Sequence, residues 1–475
     1  MIDLKTITIK SARKSLDKGE FSAEDLAKSY LAEIEKVNSE INAYLEVYED
    51  VLEQAKEADK QISLGNIKPL TGIPISIKDN LLLKGKRVSS ASKILEGFIA
   101  PYNATAIQKL KDQNAVFLGR TNMDEFAMGG STENSAFGVT KNPLDKDRVA
   151  GGSSGGSIAS VAMSGALASL GSDTGGSVRE PAAFCGVVGL KPTYGSVSRH
   201  GLMAMGSSLD IIGPATKTVS DSEILFNAIK GQDKMDSTTY GENLYPKTER
   251  KGNVIGVPFE ILEKDGIDKE VKKNFEESLE KMKEKGFEIK DIKLPTISYS
   301  LSVYYILMPA EVSSNLARFD GVKYGLHLEG QNLLEDYLKT RGEGFGKEVR
   351  RRILIGTYVL SAGYADDYYK KALAVREKIR EDFKKAFQDV DIIATPTTPM
   401  PAFKIGEKSS DPLSMYMADI FTVPANIVGI PALSLPSGFV STDTEDMPVA
   451  IQFMADYDRE DLLFSAGKKF LGEDF

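Results

Sequence analysis

Gly151-Gly152-Ser153-Ser154-Gly155-Gly156-Ser157 is followed, after the mostly apolar residues 158–170, by Gly171-Ser172-Asp173-Thr174-Gly175-Gly176-Ser177. Two Gly/Ser loops thus follow each other, with Ser153 and Ser177 24 residues apart. Between them, the Ala- and Ser-rich residues after Gly156 predict a helix and Ala166–Leu170 predicts a strand, so the segment reads loop, helix, strand, loop. The same alternation continues outward. Upstream, Ile73, Ile75 and Ile77 alternate with Pro74, Ser76 and Lys78, a strand pattern that puts Ser76 and Lys78 on the face opposite the isoleucines. Downstream come a strand at Val254–Pro258, a charged helix over Lys269–Lys285 and a strand at Phe287–Leu294. Near the start, Ser22 and Asp25 form a capping box, and Leu26, Tyr30, Ile34 and Val37 recur at helical spacing, predicting a helix over 22–37. The alternation predicts an α/β architecture with a sheet covered by helices. The polar segment 231–252 reads as a surface loop within one domain, because the alternation resumes beyond it without a change in composition.

The 475 residues are 41% hydrophobic and 27% charged, which excludes a disordered, collagen-like or coiled-coil chain. With 59 Lys and Arg against 68 Asp and Glu, the net charge of −9 has the wrong sign for a surface that grips a phosphate backbone. Cys185 is the single cysteine and His200 and His327 the only histidines, so no Cys/His metal cluster is expected. Met1–Lys5 leads into mixed polar and apolar residues with no secretory signal, and a cytoplasmic location is expected. Two charge-free stretches, 149–172 and 420–442, do not read as membrane spans. The first is dominated by Gly, Ser and Ala, and the second contains Pro424, Pro431 and Pro436.

The loops admit several chemistries. A phosphate cradle needs G-x-x-x-x-G-K-[S/T] or G-x-G-x-x-G, and neither occurs. Gly152 to Gly156 satisfies the nucleophile-elbow pattern G-x-S-x-G with Ser154 as nucleophile, but the charged residues 145–150 before it are not strand-like and no histidine follows His327. Tight packing of glycines between a helix and a sheet is the purely structural reading. A serine nucleophile without histidine needs another base, and lysine serves when burial keeps it neutral. Lys78, on a strand enclosed by helices, has the most apolar setting of the chain's lysines. Ser177 follows two glycines where the N–H groups of Thr174, Gly175 and Gly176 can converge on a developing oxyanion.

Lys78, the serines at 153–154 and the Gly-Gly-Ser ending at Ser177, in this order, resemble the amidase signature family. The resemblance implies a single domain over residues 1–475 with a central mixed, twisted sheet covered by helices on both faces. It further implies a helical N-terminal portion of about 1–65, a catalytic core of about 66–230, and a remainder that completes the sheet and substrate pocket. By position, Ser177 is implied as nucleophile, Lys78 as base, and Ser153 as the bridging serine after a cis peptide from Gly152. Neutral Lys78 would take a proton from Ser153, which takes one from Ser177 as it attacks an amide carbonyl.

Further blocks, at 122–129, 131–135, 343–352 and 411–416, are similar to those family members that act as the glutaminase component of a tRNA-dependent amidotransferase. This implies glutamine held by Tyr304, Arg352 and Asp419. It also implies a large partner subunit that handles tRNA, ATP and Mg²⁺, a small third subunit, and no cofactor on this chain. The residues themselves favour Arg352: on a helix over Glu348–Leu360, Val349, Ile353, Gly356 and Leu360 form the apolar stripe, Arg352 borders it, and Arg351 points away. Ile211 and His200 depart from the family pattern, standing where glutamine and an aromatic ring are usual. The alternative readings are a free-standing amidase and a non-catalytic scaffold subunit.

Overall fold

Ile75 and Ile77 fold into the strand Pro74–Lys78 as their spacing predicts, and every residue of that strand is buried. The computed structural model describes residues 2–241, 244–245, 252–263, 266–409 and 411–473. Among these, eleven strands form one sheet. In chain order they are β1 (Tyr44–Val47), β2 (Pro74–Lys78), β3 (Val116–Thr121), β4 (Ala168–Asp173), β5 (Val188–Lys191) and β6 (Ile211–Thr216). Then come β7 (Val254–Val257), β8 (Glu288–Asp291), β9 (Ile392–Pro396), β10 (Ala432–Ser441) and β11 (Asp446–Ala455). Across the sheet the order is β1-β3-β2-β4-β6-β5-β10-β11-β9-β7-β8. β2 runs parallel to β3 and β4, β7 runs parallel to β8 and β9, and the remaining pairings are antiparallel, so the sheet is mixed. Since successive side chains point to opposite faces, the uninterrupted burial of β2, β3, β4, β5, β6 and β9 means that both faces are covered.

Several boundaries move from those expected, each for a local reason. β4 continues through Gly171, Ser172 and Asp173, residues of poor strand propensity, because its ladder with β6 runs on to the pair Asp173 and Ile211. The strand expected at Phe287–Leu294 contracts to Glu288–Asp291, an edge strand paired only with β7. The opening helix extends over Ala23–Ile41; its capping box forms as read, Ser22 Oγ accepting from the Asp25 N–H at 3.0 Å and Asp25 Oδ2 from the Ser22 N–H at 3.0 Å. In the 231–252 segment, the Gly231 N–H donates to the Ser196 carbonyl at 2.8 Å, and Asp233 accepts from the hydroxyls of Thr105 and Ser198, so this part packs on the main body as a surface loop. Residues 242, 243 and 246–251 of that segment lie outside the described residues. No helix among the described residues is long and apolar enough to cross a membrane.

Three helices place the chemistry. Helix Gly155–Ala162 covers the Ser76 and Lys78 face of β2, with Ser160 Oγ 2.8 Å from Ser76 Oγ and Ser157 Oγ 2.7 Å from Thr121 Oγ1. Helices Ser300–Asn315 and Lys347–Leu360 pack on each other and carry Tyr304 and Arg352. At their crossing Gly356 lies against the Pro309 carbonyl so closely that a Cβ would overlap its oxygen. Gly356→Ala should therefore force the pair apart and destabilise the protein by about 1–3 kcal/mol. Gly342→Ala, on the helix Leu333–Gly344 with open space around it, should be neutral or stabilising by up to about 1 kcal/mol. Thermal melts of the two variants check the contrast.

Candidate active site

Lys78 ends β2 with no solvent exposure. Its Nζ lies 2.8 Å from Ser153 Oγ, 2.8 Å from Ser154 Oγ, 2.9 Å from Ser172 Oγ and 3.3 Å from the Ser172 carbonyl oxygen. Burial lowers this amine to about 7, with Asp124, Asp173 and Asp210 pulling the other way. The surrounding bonds orient the neutral form. The Ser154 hydroxyl donates to the Ser172 carbonyl at 3.0 Å, so its oxygen is left to accept from Lys78. Ser172 Oγ accepts from Asn80 Nδ2 at 3.0 Å and accepts again from Lys78. A neutral amine has two N–H groups and one lone pair; with the N–H groups directed to Ser154 and Ser172, the lone pair faces the Ser153 hydroxyl. The peptide Gly152-Ser153 is cis, as the resemblance implied.

The second Gly/Ser loop leaves the end of β4 and is fixed by a buried ion pair. Arg179 donates from Nε and Nη2 to the two oxygens of Asp173, each at 3.0 Å, and also binds the Thr422 carbonyl, Gln452 and Asn426. Both partners are fully buried. Burial alone would raise the Asp173 carboxyl, but the Arg179 guanidinium outweighs it and holds the group at about 2. The same carboxylate accepts from the N–H groups of Gly176 and Val178 at 3.0 and 3.1 Å. Gly176 is therefore not an open oxyanion donor as the sequence suggested: its N–H is turned into Asp173 to build the turn. The N–H groups of Thr174, Gly175 and Ser177 have no partner among the described residues. Ser177 is 8% exposed, and its carbonyl accepts from the Ser154 N–H at 3.1 Å, which ties the two Gly/Ser loops together.

Tyr304, Arg352 and Asp419 come from distant segments. A Cβ on Gly175 would stand 2.8 Å from Cζ and 2.9 Å from the hydroxyl of Tyr304, so that ring lies directly on the loop. A Cβ on Gly176 would stand 3.1 Å from Asp419 Oδ1, so Asp419 borders the same turn. Burial raises Asp419 to about 7 even with Arg352 pulling it down. Arg352 is 4% exposed and sits within the buried stripe of its helix instead of beside it. The stripe runs Val349, Arg352, Gly356 and Val359, and Leu360, expected inside, is 41% exposed. The guanidinium donates from Nε to Glu348 Oε1 at 2.6 Å and faces the rings of Tyr305 and Tyr416, with centroids 5.6 and 5.9 Å away. Arg351 does not point away but turns back to the other Glu348 oxygen, at 2.5 Å.

The remaining positions singled out in the sequence lie as follows. Ser154 is a ligand of the lysine, not an elbow nucleophile. His200 stacks on Tyr102 at 5.0 Å, away from the lysine, and Ile211 is a buried β6 residue paired with Asp173. Sequence reasoning passed over Ser172, Asn80, Asp173, Arg179, Glu348, Tyr305 and Tyr416. Asp173 carried a signal, a charged residue inside an otherwise uncharged Gly/Ser block; the others became visible only in three dimensions.

Residues 25–464 match the family model described as Amidase. The chain is 50% identical over 472 residues to the A subunit of glutamyl-tRNA(Gln) amidotransferase of Clostridium botulinum (strain Okra / Type B1), covering 98% of this chain and 96% of the relative. Its fold is similar to the crystal structure of the A subunit of glutamyl-tRNA(Gln) amidotransferase from Thermotoga maritima, with 41% identity, a TM-score of 0.78, and 99% and 94% of the two chains covered. It is also similar to a peptide amidase from Stenotrophomonas maltophilia, with 25% identity, a TM-score of 0.81, and 98% and 97% covered. A buried lysine among serines, a Gly-Gly-Ser loop and a match along nearly the whole length converge, and the chain belongs to the amidase signature family.

Proposed function

We propose that this chain hydrolyses glutamine to supply ammonia within a glutamyl-tRNA(Gln) amidotransferase, as its Clostridium and Thermotoga relatives are named. The observation that carries this reading is that a buried arginine, Arg352, acts electrostatically on a half-buried carboxylate, Asp419, which borders the loop that ends in Ser177. A small neutral amide brings neither charge to such a pair. Free glutamine offers a carboxylate for Arg352 and an amino group for Asp419, with Tyr304 closing the wall between them.

Ser177 Oγ attacks the side-chain carbonyl carbon while its proton passes to Ser153 and the Ser153 proton passes to the lone pair of Lys78. The N–H groups of Thr174, Gly175 and Ser177 receive the oxyanion. As the tetrahedral species collapses, the C–N bond breaks, the proton returns from Lys78 through Ser153 to the departing nitrogen, and ammonia leaves. Water then attacks the Ser177 ester by the same relay and releases glutamate. In the assembly, a large partner subunit uses ATP and Mg²⁺ to activate the glutamyl ester on tRNA and a small third subunit braces the pair, in the cytoplasm. The −9 charge of this chain fits an indirect relation to tRNA.

Ser177→Ala should abolish ammonia release, measured by a coupled ammonia assay. Lys78→Met should lower kcat by about 10²–10⁴. A lysine lowered to about 7 is neutral above that pH, so wild-type kcat/KM should rise as pH increases through about 7 and then level off. A profile flat between about pH 5.5 and 8.5 would remove Lys78 as base. Arg352→Ala should raise KM for glutamine at least about tenfold, as loss of a charge-assisted pair implies, while hydrolysis of a small neutral amide survives. Equal losses on both substrates would overturn the glutamine assignment. Purifying the tagged chain and identifying what accompanies it tests the assembly: one large and one small partner at equal stoichiometry, with amidation of misacylated tRNA, are expected, and recovery of the chain alone with amide hydrolysis intact would make it an independent amidase.

A further inference from the structure

Glu180 is fully buried on the short helix Arg179–Cys185, and the mechanism above gives it no part. Its Oε2 accepts from the Gly152 N–H at 2.9 Å. Its Oε1 is buried with no partner among the described residues, a costly arrangement for a charged group. On the other edge of the same peptide, the Gly151 carbonyl accepts from Thr132 Oγ1 at 2.7 Å. The Gly151–Gly152 peptide is thus gripped from both sides, immediately before Ser153. Downstream, the Ser153 carbonyl accepts from the Asp124 N–H at 3.2 Å. These three bonds set where the Ser153 hydroxyl stands relative to Lys78.

We propose that Glu180 is a positioning residue that holds the Gly151–Gly152 peptide, and through it the Ser153 hydroxyl, in register with Lys78. The inference rests on the Ser153 relay proposed above. The groups around it dictate the form in which Glu180 acts. Asp419 acts on it from the segment after residue 411, Asp124 from the loop after β3, and Asp173 from the end of β4, while Arg179, its neighbour in the chain, is bonded to Asp173. Burial and then Asp419 push the Glu180 carboxyl well above its usual range, which favours its neutral form. A proton on the unpartnered Oε1 would leave Oε2 as the carbonyl oxygen that accepts from Gly152. Glutamine at this position would present the same acceptor with no charge to suppress.

The test compares Glu180→Gln with Glu180→Met, which fills the space without an acceptor, and with Glu180→Ala, which removes the acceptor without adding bulk. Two readouts are taken: the rate at which a fluorophosphonate probe labels Ser177, and kcat and KM for glutamine and a small neutral amide. Thermal melts accompany both. In the Met and Ala variants labelling and kcat should fall about 10–100-fold on both substrates with KM for glutamine kept, the size expected when a reacting group is displaced by about 1 Å. Glu180→Gln should restore both within about threefold, a rescue that depends on the acceptor and not on the charge. Wild-type labelling in both the Met and Ala variants, or a Gln variant as impaired as they are, overturns the inference. Failure of the probe to label Ser177 in the wild-type chain overturns the nucleophile assignment and this inference with it, an outcome distinct from the first two.

Discussion

A lysine amine with no access to water, held among three serine hydroxyls at the end of a central strand, is the constraint from which the rest of the site follows. Removing Lys78 from water disfavours its charged form, and a base must be uncharged to take a proton. The sheet supplies the burial: β2 lies between β3 and β4, and helix Gly155–Ala162 closes the face on which the lysine stands. A carboxylate in contact with the amine would restore its charge. Asp124, Asp173 and Asp210 are all close enough to be felt, yet the recorded bonds of Nζ go to serine hydroxyls and a backbone carbonyl and not to any of the three.

The same economy governs the other charges. Asp173 is kept ionised by Arg179 and spends its charge on backbone N–H groups, so a fully buried ion pair acts as the core of a turn. Such a pair adds little net stability against its desolvation, but removing one partner would strand the other in the core. Its value here is geometric. With Gly176 pulled into Asp173, the neighbouring N–H groups of Thr174, Gly175 and Ser177 are left without a partner among the described residues.

The sequence made much of this legible. The alternation around Ile75 and Ile77 located β2 and the face of Lys78, because strand periodicity is a local property. The two Gly/Ser loops located the serines for the same reason. What remained hidden depends on chain distant in sequence. β4 runs past its expected end because β6 pairs with it, and no local signal announces a ladder partner some forty residues downstream. Arg352 read as bordering an apolar stripe because an arginine inside a stripe is unfavourable on its own helix; it is accommodated by Glu348 on the same helix and by Tyr305 and Tyr416 from elsewhere. Gly176 read as an oxyanion donor because backbone direction is not encoded in residue type.

The site is therefore made in two parts with different dependences on the chain. The proton relay comes from β2, the first loop and the second loop, a stretch in which every partner of Lys78 lies within a hundred residues. The groups proposed to recognise the substrate come from helices Ser300–Asn315 and Lys347–Leu360 and from the segment around Asp419, all far from the loop in sequence. Gly175 and Gly176 are where the parts meet, since Tyr304 and Asp419 rest on them while their backbone continues into Ser177. A side chain at either glycine would hold the wall away from the nucleophile. The wall itself can change without altering how Lys78 is buried, so one relay can serve amides of very different size and charge.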